Sequence, residues 1–349
     1  MKLLNRLENW LPTGRFDASG SLLTSLLALL LVGCEWSEST ATLVNRRATG
    51  DDDPIRVVAT VGMVADLARE VGGERVSVTQ LMGPGVDPHL YKGTRDDVRA
   101  IIAADLVFYS GLMLEGKVID MLDKVGRKKP VIAVTDAIDQ AALTTESGDA
   151  AHPDPHVWMD VALWAQCVHE ITRGLREYDE EGAEAYRQAT SAYLEKLMEL
   201  DAYGKQVIST IPPEGRVLIT SHDAFHYFGR AYGLEVFGVQ GLSTDSEAGL
   251  RQINHLVDMI VDRKISAVFV ESSVPQKSIM AVIDGAASRG HRVVVGGELY
   301  SDAMGERGTY EGTYVGMLDH NLTTVTRALG GVAPERGMQG LLKERQGGA

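Results

Sequence analysis

The stretch Glu181–Thr210 constrains this chain more than any other. Its apolar positions Tyr186, Ala189, Tyr193, Leu197, Leu200 and Val207 recur at helical spacing. No proline interrupts it, Gly204 is its one interior glycine, and Pro212-Pro213 follows as a stop. At 1.5 Å per residue the helix would span roughly 45 Å, far longer than a typical globular helix and about the length of a two-lobed molecule. The apolar run covers too few heptads for a coiled-coil arm. The pattern predicts a rigid strut with a lobe on either side.

Both flanks share one grammar. Before the strut, Arg56–Thr60, Val76–Leu81, Leu106–Tyr109 and Val131–Val134 read as strands. Met63–Val71, Asp96–Ala103, Lys117–Val125 and a segment ending near Tyr178 read as helices. After it, strands at Val217–Thr220, Leu234–Val239, Ala267–Val270 and Val293–Val295 alternate with helices to Tyr232 and at Ser246–Arg263, Gln276–Ser288 and Tyr310–Leu329. Strands alternating with helices of ten or more residues imply an α/β chain with a mostly parallel sheet, flanked by helices, in each lobe. The divisions expected are 55–180 for the first lobe, 181–211 for the connecting helix and 212–330 for the second lobe. The tail 331–349 lacks apolar periodicity and is expected to fray.

The N-terminus reads as a targeting segment. Lys2, Arg6 and Arg15 precede an apolar run, Leu22–Val32, shorter than the ~20 residues a membrane span needs. Leu31-Val32-Gly33-Cys34 resembles the lipobox of bacterial lipoproteins, in which the cysteine thiol is acylated and becomes the first mature residue. Residues 1–33 are then a signal peptide and 34–54, polar and aperiodic, a flexible tether. Two acyl chains would hold the protein stably at a membrane surface, at the periplasmic face or the cell surface. Removing residues 1–33 takes away three positive and two negative charges, moving the net charge from −14 to −15. That balance argues against nucleic acid and suits a cationic ligand. With Cys34 acylated, Cys167 is the one thiol left, so neither a disulfide nor a cysteine-based zinc site can form. A length of 349 residues with 44% hydrophobic content is compatible with two packed lobes in a soluble monomer.

Ligands of open parallel sheets bind beyond the carboxyl ends of the strands. Four candidate metal ligands lie there: His89 after Val76–Leu81, His156 after Val131–Val134, His222 at the tip of Val217–Thr220, and Asp302 after Val293–Val295. Two come from each lobe, so facing sheet edges would converge them in the cleft between. A loop histidine taken alone is usually solvated, but two Asp-Pro-His triplets, Asp87–His89 and Asp154–His156, change the odds. Proline stiffens the backbone on both sides of itself, presenting the next histidine in a fixed direction. The aspartates are placed to hold the loops or to support the ligands. Three imidazoles and a carboxylate suit zinc, manganese or iron(II), and four protein ligands leave little room for substrate chemistry.

His222 and His226 stand at i and i+4, superficially like an H-E-x-x-H zinc-hydrolase helix. Asp223 is one methylene short of the required glutamate and His222 ends a strand, so His226 reads as structural. His152, His169, His255, His291 and His320 have no comparable constellation, and Trp158, Trp164, Phe225 and Phe228 read as core or cleft wall. A zinc-dependent hydrolase and a surface adhesion lipoprotein are the competing functions.

Four motifs carry a resemblance across about Ile55–Leu329. They are Asp87-Pro88-His89-Leu90-Tyr91, Asp154–Asp160 (DPHVWMD), Thr220–Phe225 (TSHDAF) and Gly297–Gly305 (GELYSDAMG). Together they resemble the metal-binding lipoproteins of bacterial zinc and manganese ABC importers, the cluster A-I solute-binding proteins. The resemblance implies two pseudo-symmetric lobes joined by one long rigid helix, with small closure motions. It implies a metal held by His89, His156, His222 and Asp302 and handed, without catalysis, to a membrane permease driven by a separate ATPase. Manganese-selective members often carry a glutamate at the position of His222, and many zinc importers carry a histidine-rich loop where this chain has only His152. The transported ion is therefore expected to be zinc or manganese, with iron(II) as a third candidate.

Overall fold

The computed structural model describes residues 47, 50, 52–145 and 152–343. The signal segment 1–33, Cys34 and the last six residues lie outside them. β1 (Ile55–Ala59), β2 (Val76–Gln80), β3 (Leu106–Tyr109) and β4 (Val131–Ala133) form a parallel sheet in the order β2-β1-β3-β4. After the long helix, β5 (Val217–Thr220) pairs in parallel with β6 (Glu235–Gly238), and β7 (Ala267–Glu271) with β8 (Val294–Leu299). These are two separate two-stranded sheets, and β5 and β7 lie next to each other without a hydrogen-bonded ladder between them, so that the strands follow in the sequence β6-β5-β7-β8. The inner strands are the apolar ones: β5 and β7 are buried along their whole length, whereas β2 is only half covered.

Helices α1 (Gly62–Gly72), α2 (Arg95–Ala103), α3 (Ile119–Gly126) and α4 (Val161–Tyr178) belong to the first half. α2 starts on a capping box in which Thr94 and Asp97 satisfy each other's backbone N–H. α5 (Ala183–Ile208) is the strut, with 26 residues and a length of about 39 Å. It packs on α1 and α4 on one side, and on α6 (His226–Tyr232) and α9 (Tyr314–Ala328) on the other. Between these last two run α7 (Leu250–Asp262) and α8 (Lys277–Ser288).

The buried stripe of α5 holds Tyr186, Thr190, Tyr193, Leu197, Leu200, Gly204 and Val207. Thr190 takes the inward place expected of Ala189, its hydroxyl meeting Thr172 of α4 at 2.6 Å and the Tyr186 carbonyl at 2.7 Å. The helix ends before Pro212-Pro213, which lack the N–H needed to continue it, and Arg216 donates to the carbonyls of Ser209 and Ile211 just beyond its end.

Three boundaries differ from expectation for identifiable reasons. β8 runs on to Leu299 through Gly296-Gly297, because Gly296 forms a bulge: Val268 pairs with Val295 and Phe269 with Gly297. A side chain at Gly296 would meet the Phe269 ring at 2.9 Å. α7 begins at Leu250, four residues late, and the preceding segment is a loop that reaches the other half of the molecule. The described part of the tail, as far as Lys343, is held against the second half. The buried Asp319 carboxylate of α9 accepts from the Met338 N–H, the Tyr310 hydroxyl and the Thr323 hydroxyl, while Leu342 is buried. Side chain to backbone bonds of this kind leave no hydrophobic period to read. No helix among the described residues is long and apolar enough to cross a membrane.

Candidate metal centre

Both Asp-Pro-His triplets fold into the same local device. The Asp87 Oδ1 accepts the His89 N–H at 2.9 Å, and the Asp154 Oδ1 accepts the His156 N–H at 2.9 Å. Each is an aspartate turn onto the residue two ahead, closed over a proline that has no N–H to compete. Asp154 also holds the His156 Nδ1 at 2.7 Å, which aims Nε2 away from the loop. His222 gets equivalent support from a residue the sequence reading missed. Glu271, ending β7, accepts the His222 N–H at 2.8 Å and faces its Nδ1 at 2.5 Å. The signal was a carboxylate closing an otherwise apolar strand, Ala267–Val270, next to the strand that delivers His222.

The four predicted ligands converge. One donor atom from each of His89, His156, His222 and Asp302 lies within 4.8 Å of all the others. The His156 Nε2 is 3.3 Å from that of His89 and 3.4 Å from that of His222. The Asp302 oxygens stand 3.3 Å from His156, 3.2 Å from His222 and 3.9 Å from His89. Tetrahedral ligands at zinc–nitrogen distances are separated by about 3.3 Å, and with Asp302 Oδ2 as the oxygen donor the two edges to it and the two between imidazoles, 3.2, 3.9, 3.3 and 3.4 Å, are close to or modestly beyond that spacing. All four residues are buried, and neither oxygen of Asp302 has a hydrogen-bond partner. A doubly unsatisfied buried carboxylate facing three imidazole nitrogens is the donor set of a cation site.

The electrostatics follow from the partners. Burial pushes the His89 imidazole down to about 4, with Asp302 pulling weakly the other way. Burial acts on His156 too, but Asp154 and Asp302 outweigh it and raise it to about 9. Against the same burial, Glu271 and Asp302 hold His222 well above the usual imidazole range. Burial would raise Asp302, and the imidazoles of His222 and His156 reverse this, keeping it well below the carboxylate range. The carboxylates that favour a positive charge on His156 and His222 favour a cation among them for the same reason, so metal binding competes with protons for this cluster.

The other sequence candidates fall where they were expected. His226 is outside the cluster, half-exposed, with Nε2 3.1 Å from Asp223 and Nδ1 3.7 Å from Asp154. Trp158 is a cleft wall: its ring lies 5.3 Å from that of His156 and its Nε1 donates to the Ser301 carbonyl at 2.9 Å. Trp164, Phe225 and Phe228 are core. His291 and His320 contact the carbonyls of Ile265 and Glu298. His152 lines a cavity in front of His89.

The family model for the periplasmic zinc-uptake complex component A matches residues 57–328. The manganese-binding lipoprotein MntA of Bacillus subtilis (strain 168) is 50% identical over 278 residues, covering 80% of this chain and 90% of that protein. The zinc-binding protein TroA of Treponema pallidum (strain Nichols) is 44% identical over 285 residues, covering 82% and 92%. The solved structure of the periplasmic zinc-binding protein TroA from Treponema pallidum aligns with a TM-score of 0.77 over 79% of this chain and 99% of that one. These matches run through both sheets and the helix between them, and on them the chain belongs to the periplasmic zinc-uptake component A family, the cluster A-I solute-binding proteins.

Proposed function

We propose that this chain is the extracytoplasmic solute-binding component of a bacterial ABC importer. It captures a divalent transition metal, zinc or manganese, on His89, His156, His222 and Asp302, and delivers it to a permease driven by a separate ATPase. Residues 1–33 act as signal peptide and Cys34 as the lipidated anchor on a tether to residue 54. The lobes are 55–180 and 212–330, the connecting helix is 181–211, 331–349 is the tail, and the protein works as a monomer without catalysis. The observation that carries this is the buried Asp302 carboxylate, unpartnered by hydrogen bonds and 3.2–3.9 Å from three imidazole nitrogens. Family membership supports the transport role, and relatives named for manganese and for zinc stand at similar identity. A strut packed against both halves supports a small closure motion. The hydrolase alternative draws no support, because His226 is turned toward Asp154 and Asp223.

The test is titration of the full chain, stripped with chelator, with Zn²⁺ and Mn²⁺ separately and in competition. A ligand bound only by the native state raises stability by RT ln(1 + [L]/Kd). The expected result is one equivalent bound, a large rise in melting temperature, loss of that rise in His222→Ala, and retention in His226→Ala. In competition Zn²⁺ should displace Mn²⁺, since manganese is lowest in the Irving–Williams order. No shift with either ion would overturn the proposal.

A further inference from the structure

We propose that the amino edge of the first sheet is a docking surface for this chain's own membrane tether. Arg47 is the clasp, and the clasp limits how far the fold can turn toward the membrane. This rests on the lipid anchor at Cys34 and the membrane-bound partner proposed above.

The strands of the first sheet are parallel, and His89 follows the carboxyl end of β2. Their amino ends, at Ile55, Val76 and Leu106, therefore lie on the edge away from the metal centre. α4 ends there as well. Asp179, just past its last residue, holds Arg75 beside the start of β2 at 2.8 and 2.9 Å and accepts from the Tyr186 hydroxyl of α5.

The chain leading back toward Cys34 is caught on this edge. Arg47 donates its backbone N–H to the Tyr178 carbonyl at 2.9 Å, in the last turn of α4, where carbonyls lack a helical partner. Its guanidinium lies 3.8 Å from the Asp179 carboxylate and donates to the Asp53 carbonyl. The dipole of α4 favours a cation at this end for the same reason the carboxylate does. The Arg47 side chain is only 7% exposed, whereas Gly50, Asp52, Asp53 and Pro54 are exposed. Arginine is rarely so covered unless paired. A cavity of about 270 Å³ lies between Arg47, Asp53, Arg56 and Asp105, so this segment is held at its ends and not along its length.

Length decides what the clasp does. Positions 34 to 47 are 13 residue steps apart, about 45 Å when fully extended. Positions 34 to 55 are 21 steps apart, about 70 Å. A compact chain of about 290 residues has a radius of gyration of about 19 Å and hence a diameter of roughly 50 Å. Turning the metal centre to the membrane carries the clasped edge to the far side of the fold. The clasped tether falls short of that distance and the released one exceeds it. Delivery at the membrane therefore requires Arg47 to let go.

The experiment uses the lipidated full chain on phosphatidylcholine vesicles, as wild type and as Arg47→Gln, which leaves the Asp179–Arg75 pair in place. Hydrogen exchange at the amide of residue 47 reads the clasp. It should be about tenfold slower in wild type, at equal melting temperature. For reach, both proteins carry Ser243→Cys, an exposed position at the cleft mouth, with a donor dye; Cys167 is buried and escapes labelling. Energy transfer to acceptor-labelled lipid headgroups should be about twofold higher in Arg47→Gln. Inserting about ten Gly and Ser residues after Cys34 should raise transfer in wild type as much, without loosening residue 47. Equal exchange at residue 47 in the two proteins would overturn the clasp. Slower exchange in wild type with equal energy transfer would overturn its control of reach. Failure of wild type to stay on the vesicles would instead sink the lipid anchor, and the exchange comparison in solution would still decide the clasp.

Discussion

Asp302 and Glu271 show what a single residue discloses and what it conceals. The four ligands were legible because each follows a strand, and two are framed by Asp-Pro turns that act within three residues. Glu271 was not, because its contact with His222 joins positions 49 apart and exists only once β5 and β7 are side by side. Its role is nonetheless specific. By accepting from Nδ1 it fixes the tautomer of His222 and raises the electron density at Nε2, the atom facing Asp302. Glu271→Gln preserves size and can still accept the His222 N–H, but it removes the charge that favours metal at Nε2. Its expected effect is a metal affinity about 10- to 100-fold weaker at unchanged stoichiometry, read by competition with a chromophoric chelator. Unchanged affinity would mean that His222 is oriented by packing alone.

Elements were easiest to read where one hydrophobic period governs them, and hardest where a contact from elsewhere overrides it. The strut is the first case, with its buried stripe and length close to expectation. The bulge at Gly296 and the late start of α7 are the second, since one accommodates the Phe269 ring and the other frees the loop that carries Thr244 across to Asp87. Gly204 joins the two cases. In an exposed helix interior, replacing glycine by alanine stabilises by about 1 kcal/mol. Here a Cβ would stand 2.7 Å from the Tyr232 ring and 2.9 Å from Leu322, both buried, so α5 presses on the second half through its bare backbone. Gly204→Ala is therefore expected to destabilise, by about 1–3 kcal/mol from overpacking, in denaturant unfolding of the metal-free protein. A gain in stability would show that the second half can shift away from the strut.

For the molecule as a whole, parallel strands alternating with helices on both sides of the strut were legible from the pattern, while the division of the second half into two two-stranded sheets was not. Nor was what joins the two halves, because the joint is made of buried polar groups on distant elements. Asp66 of α1 accepts from the Tyr193 hydroxyl on the strut at 3.1 Å and from the Tyr314 N–H at the start of α9 at 3.0 Å. One carboxylate thus ties the first half, the connecting helix and the second half together. Burial is the main influence on it and pushes it up from 3.8 to about 6, partly offset by the Tyr314 N–H. The sign follows directly. A carboxyl whose folded pKa is raised contributes stability that is present below the unfolded value and lost as pH rises through the folded one. About two units at about 1.4 kcal/mol each amounts to roughly 3 kcal/mol. Asp66→Asn keeps an oxygen that can accept both bonds and cannot ionise. Its stability relative to wild type should therefore rise between about pH 4 and pH 6 and level off above, by an amount approaching that figure. The histidine cluster titrates in both proteins and cancels in the difference. Denaturant unfolding of the metal-free pair at pH 4 and pH 7.5 measures it, and a difference independent of pH would mean that Asp66 carries its charge in the joint without cost.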